Sequence, residues 1–153
     1  QQLNMKILNN ITWQKPNPPP NLACRYFAHS TETIIWAAKN HKSKHKFNYE
    51  LMKEINDDKQ MKDVWVMTAP RKAEKTYEKH PTQKPIALLD RLILAATDEG
   101  DLVLDAFNGS GTTGVSCIRT NREYIGIEID KKFIELSKKR ISEQINLNEK
   151  LSA

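Results

Sequence analysis

The fold of the chain is decided by the stretch Asp101-Leu-Val-Leu-Asp-Ala-Phe-Asn-Gly-Ser-Gly-Thr-Thr-Gly114. Its apolar run 102–104 predicts a strand of a parallel sheet that is covered on both faces. A glycine-rich turn and the start of a helix follow. Ligands of open α/β sheets bind beyond the carboxyl ends of the strands, which is where Asp105 stands. Gly109 and Gly111 let the backbone approach a ligand closely, and the amides of the helix N-terminus point at it.

The cofactor of this turn belongs to one of two candidate classes. The glycines spell Gly-x-Gly-x-x-Gly, and Glu128 follows Gly109 by 19 residues, a pattern that also occurs in dinucleotide-binding folds. Asp105 disfavours a dinucleotide, because its carboxylate would repel a pyrophosphate at that position. S-adenosylmethionine carries a sulfonium, an ammonium and no phosphate, and Glu128 can accept two hydrogen bonds from its ribose diol. The residues therefore favour S-adenosylmethionine over NAD.

Composition limits the class of protein. The 153 residues suffice for a core, and we expect a single domain over residues 1–153. The net charge of +5 is a modest indication of a polyanionic partner. Two cysteines and four scattered histidines predict neither a disulfide framework nor a metal site, and they favour reduced thiols in a cytosolic protein. The sequence has no apolar run long enough to span a membrane.

Hydrophobic patterns predict the remaining elements. Runs of β-branched and aromatic residues predict strands, and apolar residues at helical spacing predict helices. The predicted strands are 11–15, 32–38, 63–67 and 124–127. The predicted helices are 51–55, one that is opened by the segment 80–85, one after residue 111 and one from residue 131. Thr82 is the expected cap of the second helix, with Pro85 in its first turn. On the last helix, Lys138, Lys139 and Arg140 are expected to face solvent or nucleic acid.

Basic and aromatic side chains are mixed in two further stretches. Between the first two predicted strands, Arg25 and Tyr26 suit phosphate pairing and base stacking. The alternative is a surface loop whose aromatic rings are tucked into the core. Residues 39–79 are lysine-rich, and we interpret them as a target-recognition insertion. The alternative is a flexible excursion with solvated lysines. The candidate DNA contacts in this insertion are Lys42, Lys44, Lys46, Arg71 and Lys72.

Three motifs together resemble the β class of DNA amino-methyltransferases, in which the cofactor motifs follow the catalytic motif. They are, in chain order, His80-Pro-Thr-Gln-Lys-Pro85, Leu104-Asp-Ala-Phe-Asn-Gly-Ser-Gly-Thr-Thr113 and Tyr124-Ile-Gly-Ile-Glu128. Residues 13–20, 32–36 and 47–49 look like further segments of that class. The chain is most similar to the adenine-specific enzymes of bacterial restriction–modification systems, and the resemblance covers nearly all of it.

This resemblance implies a fold and a function. The fold would be the α/β, Rossmann-like sheet of S-adenosylmethionine-dependent methyltransferases, present in part, with the recognition insertion described above. The reaction would be direct in-line transfer of a methyl group from S-adenosylmethionine to the exocyclic amino group of adenine in DNA. The implied partners are DNA, a second copy of the chain and a cognate restriction endonuclease. The implied location is the bacterial cytoplasm, at the nucleoid.

The family's cofactor residues carry over to ten positions of this sequence. Those that would line the methionine and adenosine parts of the cofactor are Asp105, Phe107, Gly109, Ser110 and Gly111. Thr112 would assist near the helix start, and Glu128 would hold the ribose hydroxyls. The residues that would reach the methionine carboxylate are Thr82, Gln83 and Lys84, of which the lysine supplies a cation.

One motif of the family is absent. Its enzymes use an Asp-Pro-Pro-aromatic segment whose acid accepts hydrogen bonds from the target amino group and whose ring stacks on the flipped base. Asn17-Pro-Pro-Pro20 is not that motif, because Pro20 cannot stack as an aromatic ring does and the stretch comes too late in the family's motif order. The catalytic motif is expected upstream of Gln1, in a longer enzyme of which this chain is the carboxyl-terminal half. Two alternatives stay open: a cytosine amino-methyltransferase, and a fragment that binds S-adenosylmethionine or DNA without catalysis.

Overall fold

The chain folds into two compact units. The computed structural model describes residues 3–75, 77 and 80–152, and the units are Gln1–Ala69 and Pro70–Ala153. The first unit contains β1 (Lys6–Gln14), β2 (Thr31–Ala38), α1 (Tyr49–Glu54) and β3 (Val64–Val66). The second contains a short 3-10 helix (Lys72–Glu74), α2 (Ile86–Ala96), β4 (Leu102–Asp105), α3 (Thr112–Arg119), β5 (Glu123–Gly126) and α4 (Lys131–Ser152).

The division between the units falls inside the interval 39–79. Residues 39–69 of that interval belong to the first unit and 70–75 to the second. Residues 76, 78 and 79 lie outside the described part of the chain. The single domain over 1–153 and the recognition insertion over 39–79 both stay predictions.

In the first unit, β1 is the central strand of a three-stranded sheet. It runs antiparallel to β2 and parallel to β3, in the order β2-β1-β3. Ile11 and Trp13 of β1 are buried, as are Met52 of α1 and Trp65 of β3. The indole N–H of Trp13 donates to the carbonyl of Met67 (2.8 Å). Large side chains from two strands and one helix therefore form the core of this unit.

β1 is longer than its pattern predicts, because it begins at Lys6 rather than at residue 11. Its first half contains the polar Asn9 and Asn10, so it does not show the run of β-branched and aromatic residues from which the strand was predicted. In the structure these asparagines pair with Trp36 and Ile35 of β2. Strand pairing here outweighs the weak local propensity of asparagine.

In the second unit, β4 and β5 form a parallel pair. Asp105 at the end of β4 lies opposite Gly126 at the end of β5. Backbone hydrogen bonds continue past both ends: the N–H of Ile127 donates to the carbonyl of Asp105 (2.8 Å), and the N–H of Asn108 donates to the carbonyl of Ile127 (2.9 Å). The turn after β4 is therefore fixed against the segment after β5. The predicted α/β fold, with a strand, a glycine-rich turn and a helix, is confirmed.

The expectation that β4 is covered on both faces is wrong. Val103 is half-buried, but Leu102 and Leu104 are 57% and 63% exposed. Ile125 of β5 is exposed as well. Alternate side chains of a strand point to opposite faces, so one face of this two-stranded sheet is partly covered and the other is open among the described residues.

The start of α2 also differs from its prediction. Pro85 stands at the N-cap rather than in the first turn, and no side-chain cap bond is made there, so Thr82 is not the cap. Glu74 takes that role, because its Oε2 accepts the N–H of Ile86 (2.9 Å). Its carbonyl also accepts the side-chain amide of Gln83 (2.7 Å). A carboxylate at this end of a helix suits the helix dipole.

The glycine-rich turn packs closely against α4. Gly111 has φ +75°, and a Cβ there would lie 2.6 Å from the Cβ and 3.0 Å from the Cα of Ser137. Gly100 has a similar φ of +79°, yet a Cβ there would meet nothing within 4 Å. Both glycines therefore have a backbone conformation that favours glycine. Only at Gly111 does the packing also leave no space for a side chain.

We expect Gly111→Ala to destabilise the second unit more than Gly100→Ala does. The positive φ costs about 1–2 kcal/mol in each variant, and the contact with Ser137 adds about 1–3 kcal/mol in Gly111→Ala alone. Urea unfolding followed by far-ultraviolet circular dichroism measures this. All three tryptophans lie in the first unit, so their fluorescence reports the unfolding of that unit separately. Equal losses in the two variants would contradict the close packing.

Candidate functional site

Asp105 is held rigidly at the carboxyl end of β4. Its Oδ1 accepts the backbone N–H of Phe107 (3.0 Å), and its Oδ2 accepts the hydroxyl of Thr113 in α3 (2.6 Å). The carboxylate thus joins the end of the strand to both sides of the glycine-rich turn. Its position beyond β4 matches the expectation for a ligand site at this edge of the sheet.

Glu128 stands beyond β5 and is tied to the same turn. Its Oε2 accepts the N–H of Gly109 (2.8 Å), and its Oε1 accepts those of Ile129 (2.9 Å) and Asp130 (3.0 Å). The Asp130 and Gly109 amides, more than that of Ile129, hold the pKa of Glu128 below its usual range, so the group is ionised at neutral pH. A carboxylate has about four acceptor positions, and these bonds leave room for one further donor rather than for the two that a ribose diol was expected to supply.

Ser110 and Thr112 are buried within the turn. The Thr112 hydroxyl lies 3.3 Å from the carbonyl of Lys84 and 3.4 Å from the hydroxyl of Ser110. Through Thr112 the turn is joined to the segment 82–85. Phe107, by contrast, is 92% exposed beside the turn, which leaves its ring open to a ligand.

Residues 82–84 lie next to the turn, in different environments. The Gln83 side chain is buried and donates to Glu74, whereas Thr82 is exposed. The N–H of Thr82 donates to Nδ1 of His80 (3.3 Å). The ten predicted cofactor residues all belong to the second unit. Their binding roles stay predictions.

His80 is a site residue that the sequence reasoning missed. Its ring packs on Phe133 of α4 with centroids 4.3 Å apart, and its Nε2 would lie 3.1 Å from a Cβ placed on Gly109. Burial lowers its pKa, Glu128 opposes this, and the charges of Arg140 and Lys84 lower it further. The imidazole is therefore neutral at neutral pH. Its position as the first residue of the 80–85 motif, which supplies three of the predicted cofactor residues, could have indicated that it lies at the site.

Arg140 corrects a further prediction. It was expected to face solvent or nucleic acid, but it is buried, and its Nη1 donates to the carbonyl of Ser110 (2.6 Å). Lys138 and Lys139 are exposed as expected. The helical spacing of Phe133, Leu136 and Arg140 places the arginine on the apolar face of α4. This spacing could have predicted its burial, but the three consecutive cations were interpreted together as exposed.

The candidate DNA contacts are divided between the units. Arg25 and Tyr26 lie in the exposed loop between β1 and β2, with Tyr26 77% exposed, so the alternative that buries this ring in the core is wrong. Lys42, Lys44 and Lys46 are exposed in the same unit. Arg71 and Lys72 are exposed at the 3-10 helix of the second unit. Their contacts with DNA stay predictions.

The basic run 41–46 lies beside an aromatic cluster on β2. The ring of Trp36 lies 5.6 Å from that of His45 and 5.3 Å from that of Phe47, and Phe47 lies 6.2 Å from Tyr49. These centroid distances are in the range of favourable aromatic pairs. The lysines of this run are therefore carried by a segment that is packed on the sheet, which disfavours a wholly flexible excursion.

The site offers fixed acceptors and backbone donors rather than a nucleophile. The thiol nearest to it in sequence, Cys117, is fully buried, and burial raises its pKa to about 11. A thiol in that state is inert. Among the described residues, no group of His, Cys, Asp and Glu side chains is arranged to hold a metal ion. No described helix is both long and apolar enough to cross a membrane. The arrangement suits the binding of a polar ligand with hydroxyl and cationic groups.

Comparison with known proteins gives the family of the chain. The profile of the DNA methylase family matches residues 1–139. The Type II methyltransferase M2.DpnII of Streptococcus pneumoniae is 58% identical over 97% of this chain and 56% of its own length. The Type II methyltransferase M2.MboI of Moraxella bovis is 59% identical over 92% of this chain and 51% of its own length. The chain therefore spans about half the length of these curated relatives.

Solved structures agree with this result. A crystal structure of an M1.HpyAVI–SAM complex superimposes with a TM-score of 0.75 at 38% identity, over 90% of this chain and 63% of that one. PvuII DNA methyltransferase, described as cytosine-N4-specific, has a TM-score of 0.73 at 20% identity, over 93% of this chain and 57% of that one, and shows the shared fold alone. The predicted resemblance and the predicted partial Rossmann-like methyltransferase fold are thus confirmed: the chain belongs to the DNA methylase family.

Proposed function

We propose that the protein transfers a methyl group from S-adenosylmethionine to the exocyclic amino group of adenine in DNA, as part of a restriction–modification system. One observation carries this proposal: Asp105 and Glu128 stand at or just beyond the carboxyl ends of adjacent parallel strands, and each accepts a backbone N–H of the glycine-rich turn. In a chain of the DNA methylase family, that arrangement supports a cofactor with cationic and hydroxyl groups. The names of the relatives and the bound SAM of the M1.HpyAVI structure agree with it.

In this proposal the second unit binds the cofactor. Glu128 accepts a hydrogen bond from a ribose hydroxyl at its remaining acceptor position. Asp105 lies on the side of the turn where the cationic methionine part is held. Lys84 pairs with the methionine carboxylate, and the exposed ring of Phe107 covers the adenine. The residues position the sulfonium methyl, and the reaction is an in-line displacement that requires no covalent enzyme intermediate.

Six exposed cations, divided between the two units, bind DNA in this proposal. Arg25, the lysines of the run 41–46, Arg71 and Lys72 pair with phosphates, and Tyr26 stacks on a base. The Asp-Pro-Pro-aromatic segment that the family uses to bind the target amino group is not found among these 153 residues. The protein works in the bacterial cytoplasm with DNA and beside a cognate restriction endonuclease, and a homodimer is a further prediction.

A chimaera tests the function directly. We replace the matching part of M2.DpnII with this chain, supply isotope-labelled S-adenosylmethionine and DNA, and identify the labelled nucleoside by mass spectrometry. The proposal predicts N6-methyladenine from the chimaera and no product from the chain alone. Labelled N4-methylcytosine would support the cytosine alternative instead. A chimaera that binds the cofactor without making any product would support the non-catalytic alternative.

Asp105→Ala and Glu128→Ala are each expected to weaken S-adenosylmethionine binding by about 1–3 kcal/mol, because each removes hydrogen-bond acceptors from the site. This corresponds to a rise of roughly 5- to 150-fold in Kd. Titration calorimetry on the chain measures it, and a thermal melt of each variant checks that it is folded. Glu99→Ala, which removes an exposed carboxylate outside the turn, is the matched control. If both variants bind like the control, the placement of the cofactor is wrong.

The double variant Arg71→Glu, Lys72→Glu is expected to bind DNA more weakly and with a flatter dependence on salt. The logarithmic salt slope falls by about 1 for each phosphate contact that is lost. Fluorescence anisotropy at several salt concentrations measures the slope. The double variant Lys131→Glu, Lys150→Glu makes the same change of charge at exposed positions of α4 and is the control. An unchanged slope, or an equal change in the control, would contradict a specific role for Arg71 and Lys72.

A further inference from the structure

Arg140 is a cation buried within the second unit. Only 6% of its surface is exposed, although it lies on α4 between the exposed Lys139 and the half-buried Ile141. Burying a guanidinium is costly unless its N–H groups are paired. Burial lowers the pKa of Arg140, and the nearby charges of Glu74 and Glu143 oppose that effect. An arginine remains protonated in proteins, so the fold keeps a buried positive charge here at a cost in stability. The hydrogen bonds of this guanidinium indicate what the charge does.

The principal contact fixes one peptide plane of the glycine-rich turn. Nη1 of Arg140 donates to the carbonyl of Ser110 at 2.6 Å. The peptide bond is planar, so the direction of this carbonyl also sets the direction of the next N–H, which belongs to Gly111. That N–H donates to the carbonyl of Asn108 (2.9 Å) and closes the turn. Arg140 and the turn's own hydrogen bond therefore hold opposite ends of the same peptide group.

A second contact links a third segment to this group. Nη1 of Arg140 also lies 3.2 Å from the hydroxyl of Thr112, which in turn lies 3.3 Å from the carbonyl of Lys84. Because Arg140 bonds to Ser110 and to Thr112 at once, α4, the turn and the segment 82–85 share one polar connection. The close packing of Gly111 on Ser137, one turn earlier in α4, keeps the helix near enough for these bonds.

We propose that Arg140 is a positioning residue of the cofactor site. From the side of the turn that faces α4, it fixes the Ser110–Gly111 peptide and the Thr112 hydroxyl, and it thereby presets the backbone that receives the ligand. The assignment rests on the proposed function for the identity of that ligand, whereas the effect on the turn exists without any ligand.

Amide hydrogen exchange of the full chain, measured by NMR without cofactor, tests the effect on the turn. In Arg140→Met, the exchange of the Gly111 amide is expected to accelerate by about 10- to 100-fold, the loss typical of one hydrogen bond from a charged group. The amide of Ile127, which donates to Asp105 on the other side of the site, is the internal reference and keeps its rate. Lys139→Met, one residue away and exposed, is the matched control variant and changes neither amide.

Arg140→Lys keeps the charge and can restore one of the two contacts, so its Gly111 amide is expected to exchange at an intermediate rate. If Arg140→Met does not fold, the exchange rate of the Gly111 amide in Arg140→Lys alone tests whether Arg140 fixes the turn. An unchanged Gly111 amide, or an equal acceleration at Gly111 and Ile127, would overturn the proposal, since the second result is that of general destabilisation.

Calorimetry with S-adenosylmethionine separates this proposal from the proposed function. If both hold, Arg140→Met binds the cofactor at least about 10-fold more weakly than the parent and Arg140→Lys recovers part of the affinity. If the parent itself binds no S-adenosylmethionine while the Gly111 amide responds as predicted, the proposed cofactor fails and the effect of Arg140 on the turn stands. Equal affinities of parent and Arg140→Met would overturn the positioning role.

Discussion

The parallel pairing of β4 with β5 is the constraint on which the second unit depends. It places Asp105 and Gly126 side by side, and the backbone bonds of Asn108 and Ile127 carry the pairing past the strand ends. Two carboxylates are then bonded to backbone amides of one turn. Glu128 accepts the N–H of Gly109, so the end of β5 also controls the start of the turn. A change of register would separate these groups and leave the amides of the turn without their acceptor.

The parts of the site that the sequence predicts are local. The pattern lies within a few residues: an apolar run, an acid at the end of the strand and closely spaced glycines. The structure has β4, the turn and α3 at the positions that this pattern predicts. The position of Glu128 just after the next strand was predicted as well, and a parallel pair needs a crossover of a dozen or more residues. Its bond to the N–H of Gly109 was not predicted. The choice of S-adenosylmethionine over a dinucleotide rested on the charge of one residue, Asp105.

The parts that the sequence did not predict depend on contacts between distant residues. Glu74 caps α2 from 12 residues away, and Arg140 reaches the turn across 30 residues. A run of three cations was interpreted as solvated, although the third lies on the apolar face of its helix. The expected cover on both faces of β4 failed for another reason. It assumed a complete sheet, whereas the described residues of this unit supply two strands of it.

The central claim is that this turn binds S-adenosylmethionine and not a dinucleotide. Its most direct test is titration calorimetry of the unmodified chain with S-adenosylmethionine and, separately, with NAD. We expect saturable one-site binding of S-adenosylmethionine and no heat of binding from NAD, because Asp105 would repel a pyrophosphate beside the turn. Binding of NAD, or the absence of binding by S-adenosylmethionine, would contradict it.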